Sequence, residues 1–502
     1  MKILYIPLDE RPCNRLFPQF ITETREDIEL ISPPIELLGN KKKPADVNKL
    51  WEYIFSNIKY CDYAVLSIDM LVYGGLIPSR LHYLEKEEAK RRINNIKELK
   101  KYNKEIKVYA FNCIMRSPQY NSSEEEPEYY AEYGYNLFRK AYLKDKKNRV
   151  DLTSRESEEL SEIDIPEEIL RDYEERRNFN VDINIEAVNL VKEKVIDFLT
   201  IPQDDSSPYG YTAIAQQRVL DYIKKYELEL KINIYPGADE VGSSLIARAL
   251  NDFLDRQIKI YPFYSSTLGP TIIPLYEDRP MNESLKYHVR VCNGVLVENP
   301  EKADIILAIN SPGKYMQESF DQKDKLDLTY KSFRNLQDFV FKIKEFIGRG
   351  KKVIISDSAF SNGGDLTLIK YLDRLEIFDK LIAYGGWNTN CNTLGTVLSS
   401  GIYAFDSKDK SKILKHLIYR LIEDVIYQAN VRQNITNNFL PKYNLSYTEL
   451  KGKEEYVEEK VEKLLLNEYN KYNLSNEYKL NNFKAYLPWR RMFEVGLKFN
   501  IE

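Results

Sequence analysis

Histidine is nearly absent. Among 502 residues only His82, His288 and His416 occur, each in or beside a stretch with helical patterning. A Ser-His-Asp or Cys-His catalyst, or a zinc site with two or more histidines, would have to draw one of them out of a helix, so these classes are set aside. Cysteine is sparse as well. Cys13, Cys61, Cys113, Cys292 and Cys391 form an odd, scattered set without CxxC spacing, which argues against a disulfide framework and a structural zinc site and points to reduced thiols in the cytoplasm. Charge of one sign is lacking, with 73 Lys and Arg against 77 Asp and Glu, so a strongly basic nucleic-acid binder is excluded. No apolar run approaches the roughly 20 residues that span a bilayer, and no membrane partner is expected. The opening MKILYIPLDERP breaks early into proline and charge and reads as a strand, not a signal peptide. Glycine signatures are missing too. GGDLTL, YPGADEVGSS and YGGWNTNCNTLG contain glycine turns but neither GxGxxG nor GxxxxGK[ST] spacing, which leaves dinucleotide and P-loop binding poorly supported.

What is present is an α/β pattern long enough for two to three domains. Short runs rich in Val, Ile and Tyr alternate with amphipathic stretches, the signature of βα units and a parallel sheet. Strands are expected at 3–7, 28–32, 63–69, 106–112, 196–202, 231–236 and 258–263. These predict an N-terminal βα-repeat domain over 1–265, barrel-like with seven to eight parallel strands, or alternatively an open doubly wound sheet. Residues 120–184 interrupt the series with Glu, Arg and Tyr and read as a helical insertion. A second series, TIIPLY, GVLVE, ADIILAINSP, KKVIISDSA and LIAYGG, predicts a Rossmann- or flavodoxin-like α/β domain over 266–403, followed by a helical C-terminal region over 404–502.

In parallel α/β folds ligands sit beyond the carboxyl ends of the strands. The expected exits carry Asp9, Glu10 and Arg11; Asp69; Asn112 and Arg116; Gln203, Asp204, Asp205 and Tyr209; and Asp239 and Glu240. In the second series they carry Arg279, Asp357, Trp387 and Asn388. Each has an ordinary alternative, since Asp and Asn after a strand cap helices or make turns, and Arg11 and Arg279 can simply pair with neighbouring carboxylates. The adjacent Asp204 and Asp205 are harder to explain that way, because both cannot enter a core without a large desolvation cost. Such a cluster splits its pKa values into an acid and a base, binds a hard cation, or holds hydroxyl groups. Trp387 beside Asn388 suits a sugar-stacking platform or a buried structural role.

The ordered set IPLDERPCN, IPQDDSSPYGY, YPGADEVG, SDSAFSNGGD, YGGWNTNCNTLG and LPWRRMFE resembles the bacterial family catalogued as domain of unknown function 4127, over nearly the whole chain. The resemblance implies that these motif positions belong together and implies no activity. The adjacent aspartates are also similar to the carboxylate pair of substrate-assisted hexosaminidases.

The expected function is a carboxylate-dependent glycoside hydrolase, hexosaminidase-like in the sense of that pair, acting on a small carbohydrate without a cofactor or metal. Asp204, Asp205, Asp239 and Glu240 are the expected catalytic acids. Asp9, Glu10, Arg11, Asp69, Asn112, Gln203, Tyr209, Arg279, Asp357, Trp387 and Asn388 are expected to bind substrate. Two alternatives stand beside it: a Mg or Mn hydrolase or phosphoryl-transfer enzyme, and a noncatalytic sugar- or metabolite-binding protein.

Overall fold

A computed structural model describes residues 1–502. The chain divides into two compact units, one of residues 1–10, 28–245 and 276–278, the other of 11–27, 246–275 and 279–502. Both are α/β.

The first unit is built on a parallel sheet of six strands: β1 (Lys2–Ile6), β2 (Glu29–Ile31), β3 (Tyr63–Ser67), β4 (Lys107–Phe111), β5 (Phe198–Gln203) and β6 (Ile232–Pro236), in the order β2-β1-β3-β4-β5-β6. Tyr5 pairs with Val65, Val65 with Tyr109, Ala110 with Leu199 and Thr200 with Asn233. The central strands β3 and β5 are buried along their whole length because both faces are covered. One face, with Leu4, Ile6, Ala64, Leu66, Val108, Ala110, Leu199 and Ile201, packs on Leu50, Ile54, Ile93, Val188 and Val219 from the flanking helices. The 120–184 segment and the residues just after it hold three helices, Tyr130–Arg149, Ser154–Glu162 and Glu167–Lys192.

The second unit contains β7 (Lys259–Tyr264), β8 (Val295–Leu296), β9 (Ile305–Asn310), β10 (Gln317–Glu318), β11 (Lys352–Asp357), β12 (Phe360–Ser361) and β13 (Ala383–Gly385). Five of these form a second parallel sheet, β13-β11-β9-β7-β8, while β10 and β12 pair separately. Both main sheets reverse direction beside their first strand, as flavodoxin-like sheets do, and such a reversal opens a crevice at the carboxyl edge. Past the second sheet come the helix Lys410–Arg420, a π-helical continuation Leu421–Val431 and the helix Glu454–Tyr469. The chain ends in an antiparallel pair, β14 (Leu480–Tyr486) with β15 (Gly496–Ile501), inside the segment expected to be helical.

The expected barrel of seven to eight strands is corrected by this topology. β2 and β6 each have a single neighbour, so the first sheet is open, and β7 pairs with β8 and β9 in the other sheet. TIIPLY is not a strand but follows a short 3-10 turn, Gly269–Thr271. Pro270 and Pro274 remove two donors that a ladder would need. No helix is long and apolar enough to cross a membrane.

Candidate functional site

The carboxyl edge of the first sheet gathers the charged groups. After β3, Ser67 caps the helix Ile68–Tyr73 by accepting the Met70 N–H, and Gly74 ends it at φ 87°. A Cβ at Gly74 would lie 2.7 Å from the Ala45 nitrogen, so only glycine allows this approach. The turn delivers the short helix Leu76–Leu81, whose Arg80 is 1% exposed.

The loop after β4 is bracketed by the helix Glu167–Lys192. Asn184 Nδ2 donates to Asn112 Oδ1 at 2.7 Å, and Arg177 donates to the carbonyls of Met115 and Arg116, each at 2.7 Å. This fixes Arg116 from behind. The loop after β5 carries Asp204 and then Asp205, whose φ of 45° lies in the left-handed region, uncommon for a residue other than glycine though Asp tolerates it. Two bonds hold the loop: Ser206 N–H to the Tyr276 carbonyl at 3.0 Å, and Gly210 N–H to Asp145 Oδ2 at 2.9 Å.

These loops bring two guanidiniums into a set of four carboxylates. Arg80 Nη2 lies 2.6 Å from Asp204 Oδ2, and its Nη1 lies 2.9 Å from Glu125 and 3.2 Å from Glu126. Arg116 meets Glu125 at 2.9 Å, Glu126 at 2.8 Å and Asp205 at 3.4 Å. The adjacent aspartates therefore go to different arginines. Burial, reinforced by the negative charge of Asp204, pushes Asp205 up to about 7, against the pull of Arg116 and Arg80.

Asp69 belongs to the same edge. It is 1% exposed and accepts the Cys113 N–H at 2.9 Å, and burial lifts it to about 6 although hydrogen bonds from Cys113 and Asn112 favour its charge. The Cys113 thiol is raised by burial and then by the charges of Asp69, Asp204 and Asp239, which come from three strand exits. No group of three or more His, Cys, Asp or Glu side chains is arranged to hold a metal ion. Arg80 and Arg116 are the cations that the four carboxylates contact.

The other expected residues divide by unit. In the first, Asp9 is buried, Glu10 Oε1 accepts the Lys41 N–H at 2.7 Å, and Gln203 Oε1 accepts from Gln216 at 2.8 Å. Tyr209 packs edge-on to Tyr142 beneath Arg149. Asp239 is 6% exposed, and Glu240 Oε2 folds back onto the Ala238 N–H at 3.0 Å within its own turn. In the second unit, Arg11 lies over the Trp489 ring at 4.7 Å and Arg279 over Tyr287 at 5.0 Å. Asn388 accepts the Asn362 N–H through its carbonyl. Trp387 is 1% exposed, set edge-on between Phe17 and Phe493, and presents no open face for a sugar.

Asp357 ends β11 in a buried network. Asn310 Nδ2, the Asp365 N–H and the Tyr384 hydroxyl all donate to it, at 2.8, 2.7 and 2.8 Å, and Arg334 pairs with Asp365 at 2.6 Å. Burial and then the Asp365 charge push Asp357 up to about 7. Nearby in sequence to the π-helix start, Arg420 pairs with Asp424 at 2.7 Å and lies over the Phe17 ring. Asp357, Asp365, Arg420 and Asp424 are all buried.

Arg80, Glu125 and Glu126 were not among the expected site residues. Arg80 sits in an apolar helix without any motif, and Glu124–Glu126 reads as an ordinary solvated charge run. The histidines stay out of the chemistry. His82 Nε2 bonds Asn180 Oδ1 and burial lowers its pKa to about 4, His288 Nδ1 bonds the Ser284 carbonyl, and His416 is held down to about 3 by burial and Arg420.

A family model described as "Protein of unknown function (DUF4127)" matches residues 3–498. No curated protein matches the chain.

Proposed function

The chain therefore belongs to the DUF4127 family, whose description assigns no chemistry, and we propose from the geometry that it is a carboxylate-dependent glycoside hydrolase. The observation that carries this reading is the division of two adjacent aspartates between two arginines. Asp204 pairs with Arg80 and serves as the ionised partner, while Asp205, at about 7, holds a proton near neutral pH. A proton-bearing carboxyl beside an ionised one supports this reading, since general acid catalysis of glycosidic cleavage uses such a pair.

In this scheme the Asp205 proton passes to the leaving-group oxygen as the anomeric carbon–oxygen bond breaks. The Asp204 carboxylate stabilises the positive charge that develops on the sugar ring, and water adds to the anomeric carbon as its proton passes to the Asp205 carboxylate, which restores the acid. Asp69, from the exit of β3, and Asp239, from the exit of β6, contact hydroxyl groups. Arg80 and Arg116 act as positioning residues through the acids. No cofactor enters the scheme, and the partner is a small carbohydrate. All five cysteines are free and buried, which supports a reducing, cytoplasmic setting.

A panel of aryl glycosides tests the reading. One member should release its phenol, and Asp205→Asn should lower kcat by about a hundredfold or more, the usual contribution of a general acid. Turnover equal to wild type in both Asp204→Asn and Asp205→Asn removes the pair from the mechanism.

A further inference from the structure

We propose that Tyr120 is a substrate-binding residue, whose ring is the platform on which the sugar of the Asp204–Asp205 site lays its apolar face. The sugar in this statement rests on the glycosidase reading; the choice of Tyr120 rests on how the loop after β4 is held and on which groups its side chain meets.

A sugar site uses two kinds of surface. Polar side chains take the hydroxyl groups, and an aromatic ring takes the apolar face of the pyranose. Trp387 does not supply that ring, because Phe17 and Phe493 enclose it. The loop after β4 carries Arg116, Glu125 and Glu126, and between residues 112 and 126 Tyr120 is its one aromatic residue. Tyr120 is 47% exposed, whereas the Arg116 and Glu125 side chains are 12% and 15% exposed. Exposed aromatic residues are common on protein surfaces and single ones carry no meaning by themselves. Two features set Tyr120 apart.

Its backbone is fixed on both sides against the helix Tyr130–Arg149. The Tyr130 hydroxyl donates to the Pro118 carbonyl at 2.9 Å, and the Tyr135 N–H donates to Asn121 Oδ1 at 2.8 Å. Gly134 admits the Tyr120 carbonyl to the helix surface: a Cβ there would lie 2.8 Å from that oxygen and 2.3 Å from the Tyr130 ring. A tyrosine mounted on a fixed backbone offers a large contact area at little cost in chain entropy when a ligand arrives.

Its side chain also faces the charges of the site. The electrostatic partners of the Tyr120 hydroxyl are Arg116, which acts on it most strongly, then Asp205, Glu125 and Glu126. Those groups pair with one another at the candidate site. Tyr135 provides the contrast. It is equally exposed at 46%, yet it stands on the helix itself with Arg139 as its charged neighbour, and Arg139 pairs with Glu159.

Titration calorimetry on the full-length protein tests this with methyl β-glucoside, methyl β-galactoside and methyl N-acetyl-β-glucosaminide, whose aglycone carries no ring of its own. For the tightest of the three, Tyr120→Ala should raise Kd about tenfold, in keeping with the loss of one aromatic contact. Tyr120→Phe keeps the ring and should stay within about twofold, and Tyr135→Ala should match wild type. Hydroxyl-radical footprinting of the wild-type protein gives a second reading that does not depend on a variant folding: the saturating glycoside should lower oxidation of Tyr120 relative to Tyr135. Wild-type affinity in Tyr120→Ala, an equal loss in Tyr120→Phe or in Tyr135→Ala, unchanged relative oxidation of Tyr120, or no binding of any of the three glycosides overturns the proposal. The tenfold loss without turnover of any aryl glycoside upholds it and removes the glycosidase reading. Turnover of an aryl glycoside with KM unchanged in Tyr120→Ala overturns it and leaves the glycosidase reading in place.

Discussion

Arg80 and Asp204 meet at 2.6 Å, the guanidinium 1% exposed and the carboxylate nearer the rim. The same guanidinium faces Glu126, which is itself 1% exposed. Arg80→Met removes one of the two cations that compensate this enclosed carboxylate, the other being Arg116, and takes the partner from Asp204. The expected loss is about 3–5 kcal/mol of folding stability, measured by urea denaturation. A change within about 0.5 kcal/mol, the range of ordinary surface positions, contradicts the burial of this pair as a unit.

Asp205 also sets a pH dependence for turnover. Its carboxyl, at about 7, must be protonated to act as acid. The kcat/KM for an aryl glycoside should therefore fall as pH rises through about 7, by about tenfold per pH unit on the alkaline side. A profile flat from pH about 6 to 8.5 contradicts the role.

Stability should follow pH in the same direction. Asp205 and Asp357 both stand at about 7 in the folded chain, above the value of about 4 expected for an unfolded Asp. A group raised on folding contributes stability that is full below its unfolded value and lost as pH rises through its folded value. Unfolded histidines are half protonated near pH 6.5 and oppose the two acids increasingly below about pH 7, so the acids dominate between pH about 8 and 7. The melting temperature should rise as pH falls across that window, and the slope should be shallower in Asp205→Asn. Calorimetry that finds a falling melting temperature there contradicts the shifts.

The strands of the first sheet were legible because each is a short apolar run between polar turns. Their lateral order was not. Lys259–Tyr264 has the texture of β1 to β6 yet pairs with β8 and β9, since the crossovers, and not strand composition, choose neighbours. The acidic exits were legible because loops and helix starts concentrate at the carboxyl edge of parallel strands. Arg80, Glu125 and Glu126 were not, because their burial comes from the fold of three separate loops. Trp387 shows the reverse case: its amide-rich neighbours suggested an open platform, and Phe17 and Phe493 enclose it.

That enclosure is itself testable. Trp387→Ala should cost about 3–5 kcal/mol through the cavity it leaves, measured by denaturation. Trp387→Phe should keep sugar affinity unchanged in calorimetry. Loss of affinity in a well-folded Trp387→Phe protein would return the residue to the ligand site.

The account turns on one proton held by Asp205 beside an Asp204 committed to Arg80. Carbon-13 NMR of aspartate carboxyls, with Asp205→Asn identifying the resonance, reads that proton directly. A titration midpoint near 7 is expected. A midpoint near the ordinary aspartate value of about 4 would leave both carboxylates ionised at neutral pH and contradict the acid role on which the proposed hydrolysis depends.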